Sequence, residues 1–379
     1  MARPFGVYVH FPYCTHRCPY CDFAVTTEPV PGDRRYARAV LAELALRAPA
    51  FEGLEPVSVY LGGGTPSLWD PDEAAEVLGA IRARFRVPAG AEITIEANPE
   101  SCDRGRLRAW REAGVNRVSV GAQSFDPGVL AKLGRRHSPE DAERAIRAAA
   151  DELGNASVDL IYGARRSTIE IARADAGRAV SAGAVHVSAY QLTLDPEVLA
   201  EEVPLARMRR QGRLPLPDDD DATRQGAAIR AVLRRHGLRR YEISNYARPG
   251  RESVHNRLYW DGESYLGLGA GAYGCLRGEA GAERYGNLRG ARPYADATLA
   301  GRLPTAKEDR VAPRAARNER LMLALRTTRG ADLHTLSAAQ AREAGEAVRR
   351  RLAVRRAGRL VLTSRGMDLH SALAERLFE

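Results

Sequence analysis

Three of the chain's five cysteines fall within eight residues, Cys14-Thr-His-Arg-Cys18-Pro-Tyr-Cys21, a C-x3-C-x2-C loop. Three thiolates on one loop can each take one iron of a [4Fe-4S] cubane, leaving the fourth iron without a protein ligand. A bidentate amino and carboxylate donor, the methionine end of S-adenosylmethionine, can occupy that open iron, and a low-potential cluster can pass one electron to the sulfonium. Two bland readings stand beside this one. One is a zinc ion on the three cysteines plus His16 or His10, although zinc sites are usually built from two separated ligand pairs. The other is unrelated free thiols. An odd cysteine count with three clustered is a poor disulfide framework, and Cys102 and Cys275 stand alone.

The elements that must position this loop alternate along the first 245 residues. Short β-branched runs at Val7–Phe11, Val57–Leu61, Glu92–Glu96, Arg117–Val120, Ser157–Ile161, Val185–Tyr190 and Tyr241–Ser244 read as strands. Between them Asp33–Leu46, Pro71–Phe85, Asp103–Glu112, Pro139–Glu152 and Thr168–Ser181 read as helices, with Asp33, Asp70 and Ser138 as capping residues. Strand and helix in alternation imply an α/β fold of parallel strands with right-handed crossovers. Six or more such units predict a partial (β/α)6 TIM-type barrel, with chemistry at the C-terminal strand ends. Residues 203–221 read as an exposed loop ending in a helix start. The Gly- and Tyr-rich stretch 246–306 lacks clear periodicity from 249 onward and is expected to be a functional excursion. Residues 307–379 are expected to form a helical, winged-helix-like unit, with Gly358–Thr363 as a strand.

Composition narrows the class. With 379 residues and 44% hydrophobic content, the chain can form a large core with a smaller appended unit. No apolar run is long enough to span a bilayer, and no apolar leader precedes the first strand, so a cytoplasmic protein is expected. The net charge is +9, and only two of 57 basic residues are lysines, Lys132 and Lys307. Such an arginine bias more plainly reflects genome composition than a binding face. Residues 301–379 nonetheless hold 17 basic against 9 acidic residues. That surplus reads as a solvated surface or, more sharply, as a face for an anionic partner such as a propionate or a membrane headgroup. No motif of a known nucleic-acid reader stands out, so nucleic acid is not an expected partner.

The cysteine loop resembles that of the radical S-adenosylmethionine (radical SAM) superfamily, and the likeness continues in order. Gly62-Gly63-Gly64-Thr65-Pro66 follows a strand, like the glycine-rich turn that in that superfamily holds the methionine amino group. Further segments resemble the coproporphyrinogen III oxidase-like group and, within it, the heme chaperones. They are Tyr8-Val-His-Phe-Pro-Tyr-Cys14, Cys18-Pro-Tyr-Cys21-Asp-Phe23, Ile93-Thr-Ile-Glu96-Ala-Asn98-Pro99, Gln123-Ser-Phe125, Val158-Asp159-Leu-Ile-Tyr-Gly163, Tyr241 to Gly250, His255-Asn-Arg-Leu-Tyr259-Trp260 and Tyr265 to Gly271. The resemblance implies that Tyr8 and Tyr20 flank the cluster and that Gly63, Gly64 and Thr65 hold the methionine part. It also implies that Glu96, Gln123, Arg135 and Asp159 line the nucleoside or a second ligand site. Carboxylates can accept ribose hydroxyls, and Arg135 can pair a carboxylate bidentately. His255, Tyr259 and Trp260 are expected to meet heme, imidazole being a common axial ligand.

Two departures from the group's pattern stand out. Ala164-Arg165-Arg166-Ser167 replaces the usual Leu-Pro-Gly-Gln, removing a rigid turn and adding two charges. Tyr273 stands where histidine is usual. The resemblance implies a heme chaperone with heme as cargo, heme-accepting apo-proteins as partners and an electron donor for the cluster. The alternative is an oxygen-independent coproporphyrinogen III oxidase or a related tetrapyrrole-modifying enzyme of porphyrin biosynthesis. That oxidase carries a long extension before its cysteine loop and a further cysteine where this chain has Phe23, which favours the chaperone expectation.

Overall fold

The computed structural model describes residues 2–378 apart from 196–198, 200–202 and 280. Six parallel strands pair in chain order: β1 Pro4–Phe11, β2 Glu55–Gly63, β3 Glu92–Ala97, β4 Arg117–Gln123, β5 Ala156–Tyr162 and β6 His186–Gln191. The crossovers carry α1 Arg35–Arg47, α2 Pro71–Phe85, α3 Arg104–Glu112, α4 Pro127–Lys132, α5 Pro139–Leu153 and α6 Ile169–Ser181. Local chemistry starts these helices where expected. The Asp70 carboxylate accepts from the N–H groups of Asp72 and Glu73, and Ser138 forms a reciprocal capping box with Asp141. At α1 the cap is Arg34 in the left-handed region, while Asp33 accepts from the Arg35 N–H at 3.0 Å.

Three expectations change. Within residues 203–221, read as an exposed loop, Pro204–Arg210 is helical and buries Leu205 and Ala206. Tyr241–Ser244 is a turn between the short strands β7 Arg239–Arg240 and β8 Asn245–Ala247, and β8 runs antiparallel to β6. Glu242 holds that turn, accepting from the Ser244 N–H at 2.8 Å and from Arg326 at 3.0 Å. The Gly/Tyr-rich stretch is regular. After α7 Pro204–Arg210 and α8 Asp219–Arg235 come α9 Val254–Asp261, β9 Ser264–Leu268, β10 Tyr273–Gly278, β11 Gly281–Asn287 and α10 Ala291–Leu299. β9 pairs parallel to β1, and β10, β11 and β12 Thr305–Val311 extend the same sheet antiparallel. Glycine hid these strands, because it breaks the side-chain alternation on which strand reading rests. A Cβ on Gly274, for example, would overlap the Tyr285 ring.

A buried carboxylate stitches the added strands to the barrel. Glu43 on α1 accepts from Arg47 at 2.7 Å, the Gly269 N–H at 2.9 Å, Asn287 at 2.7 Å and Tyr294 at 2.8 Å. A buried charge persists only when so fully bonded. The C-terminal residues form α11 Pro313–Leu325, α12 Ala338–Arg349 and a small antiparallel sheet of Ala331–Asp332, Ala353–Arg356 and Arg359–Leu362. Their core includes Leu321, Leu325, Leu352, Leu360 and Leu362. Among the described residues, no helix is long and apolar enough to cross a membrane.

Candidate functional site

The cysteine loop leaves the C-terminal end of β1 and is closed by its own backbone. The Thr26 N–H donates to Pro12 O at 2.8 Å and the Cys14 N–H to Thr26 O at 2.9 Å. Beneath it Phe11 stacks on Trp69 at 4.9 Å, and Tyr36 donates to His10 O at 2.6 Å, so the loop root is rigid. Cys14, Cys18 and Cys21 line one cavity of about 570 Å3 at the C-terminal strand ends. Thr65 Oγ1 lies 3.4 Å from Cys14 Sγ, and Arg135 Nη1 lies 3.8 Å from Cys18 Sγ. Burial pushes the Cys14 thiol up and the Cys21 thiol up to about 11. A thiolate here needs a cation to displace its proton, as iron does.

This donor set fits a cluster better than zinc. A cubane asks one thiolate per iron, which three thiols lining one cavity can supply. Both proposed fourth zinc ligands are engaged. His10 bonds Tyr8 through Nδ1 at 3.0 Å and Ala24 O through Nε2 at 2.9 Å, and burial pulls its pKa down to about 4. His16 Nε2 bonds Gly134 O at 3.0 Å.

The glycine turn sits against the loop. Gly63 has φ +114°, and a Cβ there would lie 2.6 Å from the His10 ring. A Cβ on Gly64 would lie 2.7 Å from Tyr13 O and 3.0 Å from Cys14 Sγ. Only glycine allows this approach. Glu96 accepts from the Gly63 N–H at 3.0 Å and from Tyr60 at 2.8 Å. Burial, then the facing Asp159 carboxylate, raises Glu96 to about 7. Asp159 is also raised by burial, and Ser119 donates to it at 3.1 Å. Arg135 donates to Asn98 at 2.7 Å and to Gly121 O at 2.9 Å, while its buried Nε has no partner. Gln123 sits at φ +63°, where the β4–β5 ladder shifts register, a bulge that re-aims its side chain.

The cavity thus gathers Cys14, Cys18, Cys21, Tyr20, Gly63, Gly64, Thr65, Glu96, Gln123, Arg135 and Asp159 from among the residues the sequence points to. It adds Tyr60, Asn98, Arg117, Ser119, Ser188, Tyr190 and Asn256, which sequence reading missed. The signal for several was available. Tyr60, Glu96, Ser119, Asp159 and Ser188 are polar residues at alternate positions on otherwise apolar strands.

Four expected residues lie outside the cavity lining. Tyr8 is turned to His10 and stacks on Tyr60 at 6.1 Å. His255 is 1% exposed, with Nδ1 2.8 Å from Ser58 Oγ and Nε2 2.9 Å from Tyr259 Oη. Burial pulls its pKa down to about 3. Both ring nitrogens are spent, so His255 has no lone pair for a heme iron, and Tyr259 is its partner rather than a porphyrin wall. Trp260 faces the Arg326 guanidinium at 4.2 Å in a separate cleft. Glu92 explains the placement: it accepts from the Val254 and His255 N–H groups, both at 3.0 Å, anchoring the N-terminus of α9 at the N-terminal ends of the strands.

The altered Ala164–Ser167 segment still makes a turn. Arg166 adopts φ +73°, the Ser167 N–H donates to Ala164 O at 3.0 Å, and Gln225 accepts from the Gly163 N–H and Ser167 Oγ. Tyr273 is 49% exposed and does not line the cavity.

Comparison with known proteins agrees with this geometry. A family model described as the radical SAM superfamily matches residues 8–174. The chain is 38% identical to a heme chaperone, HemW, of Mycobacterium tuberculosis, over 99% of this chain and 95% of that protein. It is 38% identical to HemW of Escherichia coli over 72% of this chain and 70% of that protein. Among solved structures, the coproporphyrinogen III oxidase HemN of Escherichia coli shares the fold at a TM-score of 0.80 and 21% identity, over 99% of this chain and 90% of that one.

Proposed function

Since this chain belongs to the HemW family of heme chaperones within the radical SAM superfamily, we propose that it binds heme and passes it to heme-accepting apo-proteins. The full-length likeness to heme chaperones carries this reading, because the fold itself is shared with the oxidase. Cys14, Cys18 and Cys21 would hold a [4Fe-4S] cluster, and Gly63, Gly64 and Thr65 the methionine end of S-adenosylmethionine. Arg135 can pair the methionine carboxylate, while Glu96 and Asp159 accept ribose hydroxyls. When bound, these groups supply one-electron chemistry at the sulfonium.

A porphyrin would sit at the cavity mouth: the cavity of about 570 Å3 is within the usual range of a small-molecule site, and a cluster with S-adenosylmethionine would take up much of it. Phe23, 56% exposed, stands there with Val25, Leu192 and Leu199. An apolar rim of this kind can cover a porphyrin face.

Anaerobic incubation of the reconstituted protein with heme, and separately with coproporphyrinogen III, tests the proposal. A shifted heme absorption band with no protoporphyrinogen IX on chromatography is expected. Accumulating decarboxylated product, or no heme binding, overturns it.

A further inference from the structure

The carboxylates of the cavity are connected to the opposite end of the barrel by an unbroken run of hydrogen bonds. Asp159 lies 3.1 Å from Ser119 Oγ, which lies 3.1 Å from Ser157 Oγ. Ser157 Oγ lies 2.8 Å from His186 Nδ1, and His186 Nε2 lies 2.9 Å from Tyr241 Oη. Ser157 and His186 are fully buried and Ser119 nearly so. Tyr241 lines a second cavity of about 110 Å3 with Glu252, Arg257, Trp260 and Asp261. That space is large enough for several waters beside polar partners. We propose that Asp159, Ser119, Ser157, His186 and Tyr241 form a proton conduit between the cavity carboxylates and water at the far end of the barrel.

The donor and acceptor count closes. With a neutral His186 carrying its proton on Nε2, each station donates away from a protonated Asp159: Asp159 to Ser119, Ser119 to Ser157, Ser157 to His186 Nδ1 and Nε2 to Tyr241 Oη. Outward transfer breaks one O–H or N–H bond and forms one at every station. Asp159 loses a proton, and Tyr241 passes one to water in the outer cavity. Burial, then the Arg117 charge, holds His186 neutral, as the relay requires.

The groups facing Asp159 give the conduit a purpose. They are Glu96 and Tyr60 from β3 and β2, Arg117 and Ser119 from β4, Ser188 and Tyr190 from β6, and Arg135. Two facing buried carboxylates resist ionising together. A ligand whose hydroxyls both must receive changes their proton count. That same ligand closes the mouth, so the proton needs another exit. A second Ser–His–Tyr run, Ser58–His255–Tyr259, has the same chemistry at 2.8 and 2.9 Å. Among the described residues it makes no hydrogen bond to Asp159 or Glu96, which makes it an internal control. The inference does not depend on heme being the cargo.

The test is a rapid pH jump, from about pH 5 to about pH 8, on the full-length, cluster-reconstituted protein saturated with S-adenosylmethionine. The protonated-carboxyl infrared band is followed and assigned by its loss in Asp159→Asn. Ser157→Ala and Tyr241→Phe are expected to slow deprotonation by about tenfold or more, whereas Ser58→Ala keeps the wild-type rate. Cluster absorbance and melting temperature report that each variant is folded. If Ser157→Ala fails to fold, Tyr241→Phe, which keeps the ring, decides. Wild-type rates in folded Tyr241→Phe, equal slowing in Ser58→Ala, or no pH-dependent carboxyl band would each overturn the conduit.

Discussion

The two ends of the barrel interior are made of the same residue types and differ in what those residues have left to bond. At the N-terminal ends of the strands, Glu92 is saturated by α9, and His255 and His186 have both nitrogens occupied. At the C-terminal ends, three thiols line open space, the Arg135 Nε is buried without a partner, and two raised carboxylates face each other. Buried polar groups are normally satisfied. Among the groups just named, unspent bonding capacity marks the candidate ligand-binding end, although Arg117 Nε and Thr94 Oγ1 toward the other end are also buried without a partner.

The largest expected effect tests the open end outright. Cys14→Ala, Cys18→Ala or Cys21→Ala should each abolish bound iron and sulfide after anaerobic reconstitution, since each thiol is the sole donor to one iron. Cys102→Ala and Cys275→Ala, at buried positions outside the cavity, should retain the full content. Zinc retained without charge-transfer absorbance would sink the cluster assignment.

Gly64→Val comes next. The new side chain meets Tyr13 O and Cys14 Sγ, so the turn must shift, and S-adenosylmethionine affinity should fall by about tenfold or more in a calorimetric titration, about 1.4 kcal/mol. Unchanged affinity would show that the turn does not hold the ligand.

His255→Ala probes the saturated end. It strands Ser58 and Tyr259, so chemical denaturation should show a loss of about 3 kcal/mol, while the heme spectrum stays as in the parent. A shifted spectrum at full stability would reverse the comparison.

Glu96→Gln is the subtlest. A folded-state value of about 7 against an ordinary 4.5 means that the folded protein binds more protons than the unfolded chain between those values. Stability is therefore lost as pH rises through that window and is flat above it. The variant should flatten the slope to the share that burial of Asp159 alone leaves and stabilise the ligand-free protein by up to about 3 kcal/mol near neutrality and above, while weakening S-adenosylmethionine binding. A wild-type pH slope in the variant would move the raised carboxyl elsewhere.

Much of this was legible in the chain. β-Branched runs located the six parallel strands to within three residues of their ends, because one face of each strand is apolar and packs under the helices. The cysteine spacing located the cluster loop, because its ligands are local. What stayed hidden depends on long-range partners. Glycines such as Gly274 masked strands that only a neighbouring ring makes necessary. His255 read as a heme ligand because the sequence cannot show Ser58 closing one nitrogen from 197 positions away. Arg166 adopted the left-handed turn expected only of glycine. Ser119 and Ser188 were legible as polar residues at alternate strand positions, but which partners they meet depends on the pairing of β4, β5 and β6.

Heme titration of the cluster-loaded protein, read at the main heme absorption band, tests most directly which end meets the ligand. Phe23→Asp puts a charge on the exposed rim, and Tyr259→Phe removes one hydroxyl from the plug. The comparison predicts weakened heme binding in Phe23→Asp and parental binding in Tyr259→Phe; affinity that follows Tyr259 and ignores Phe23 would contradict it.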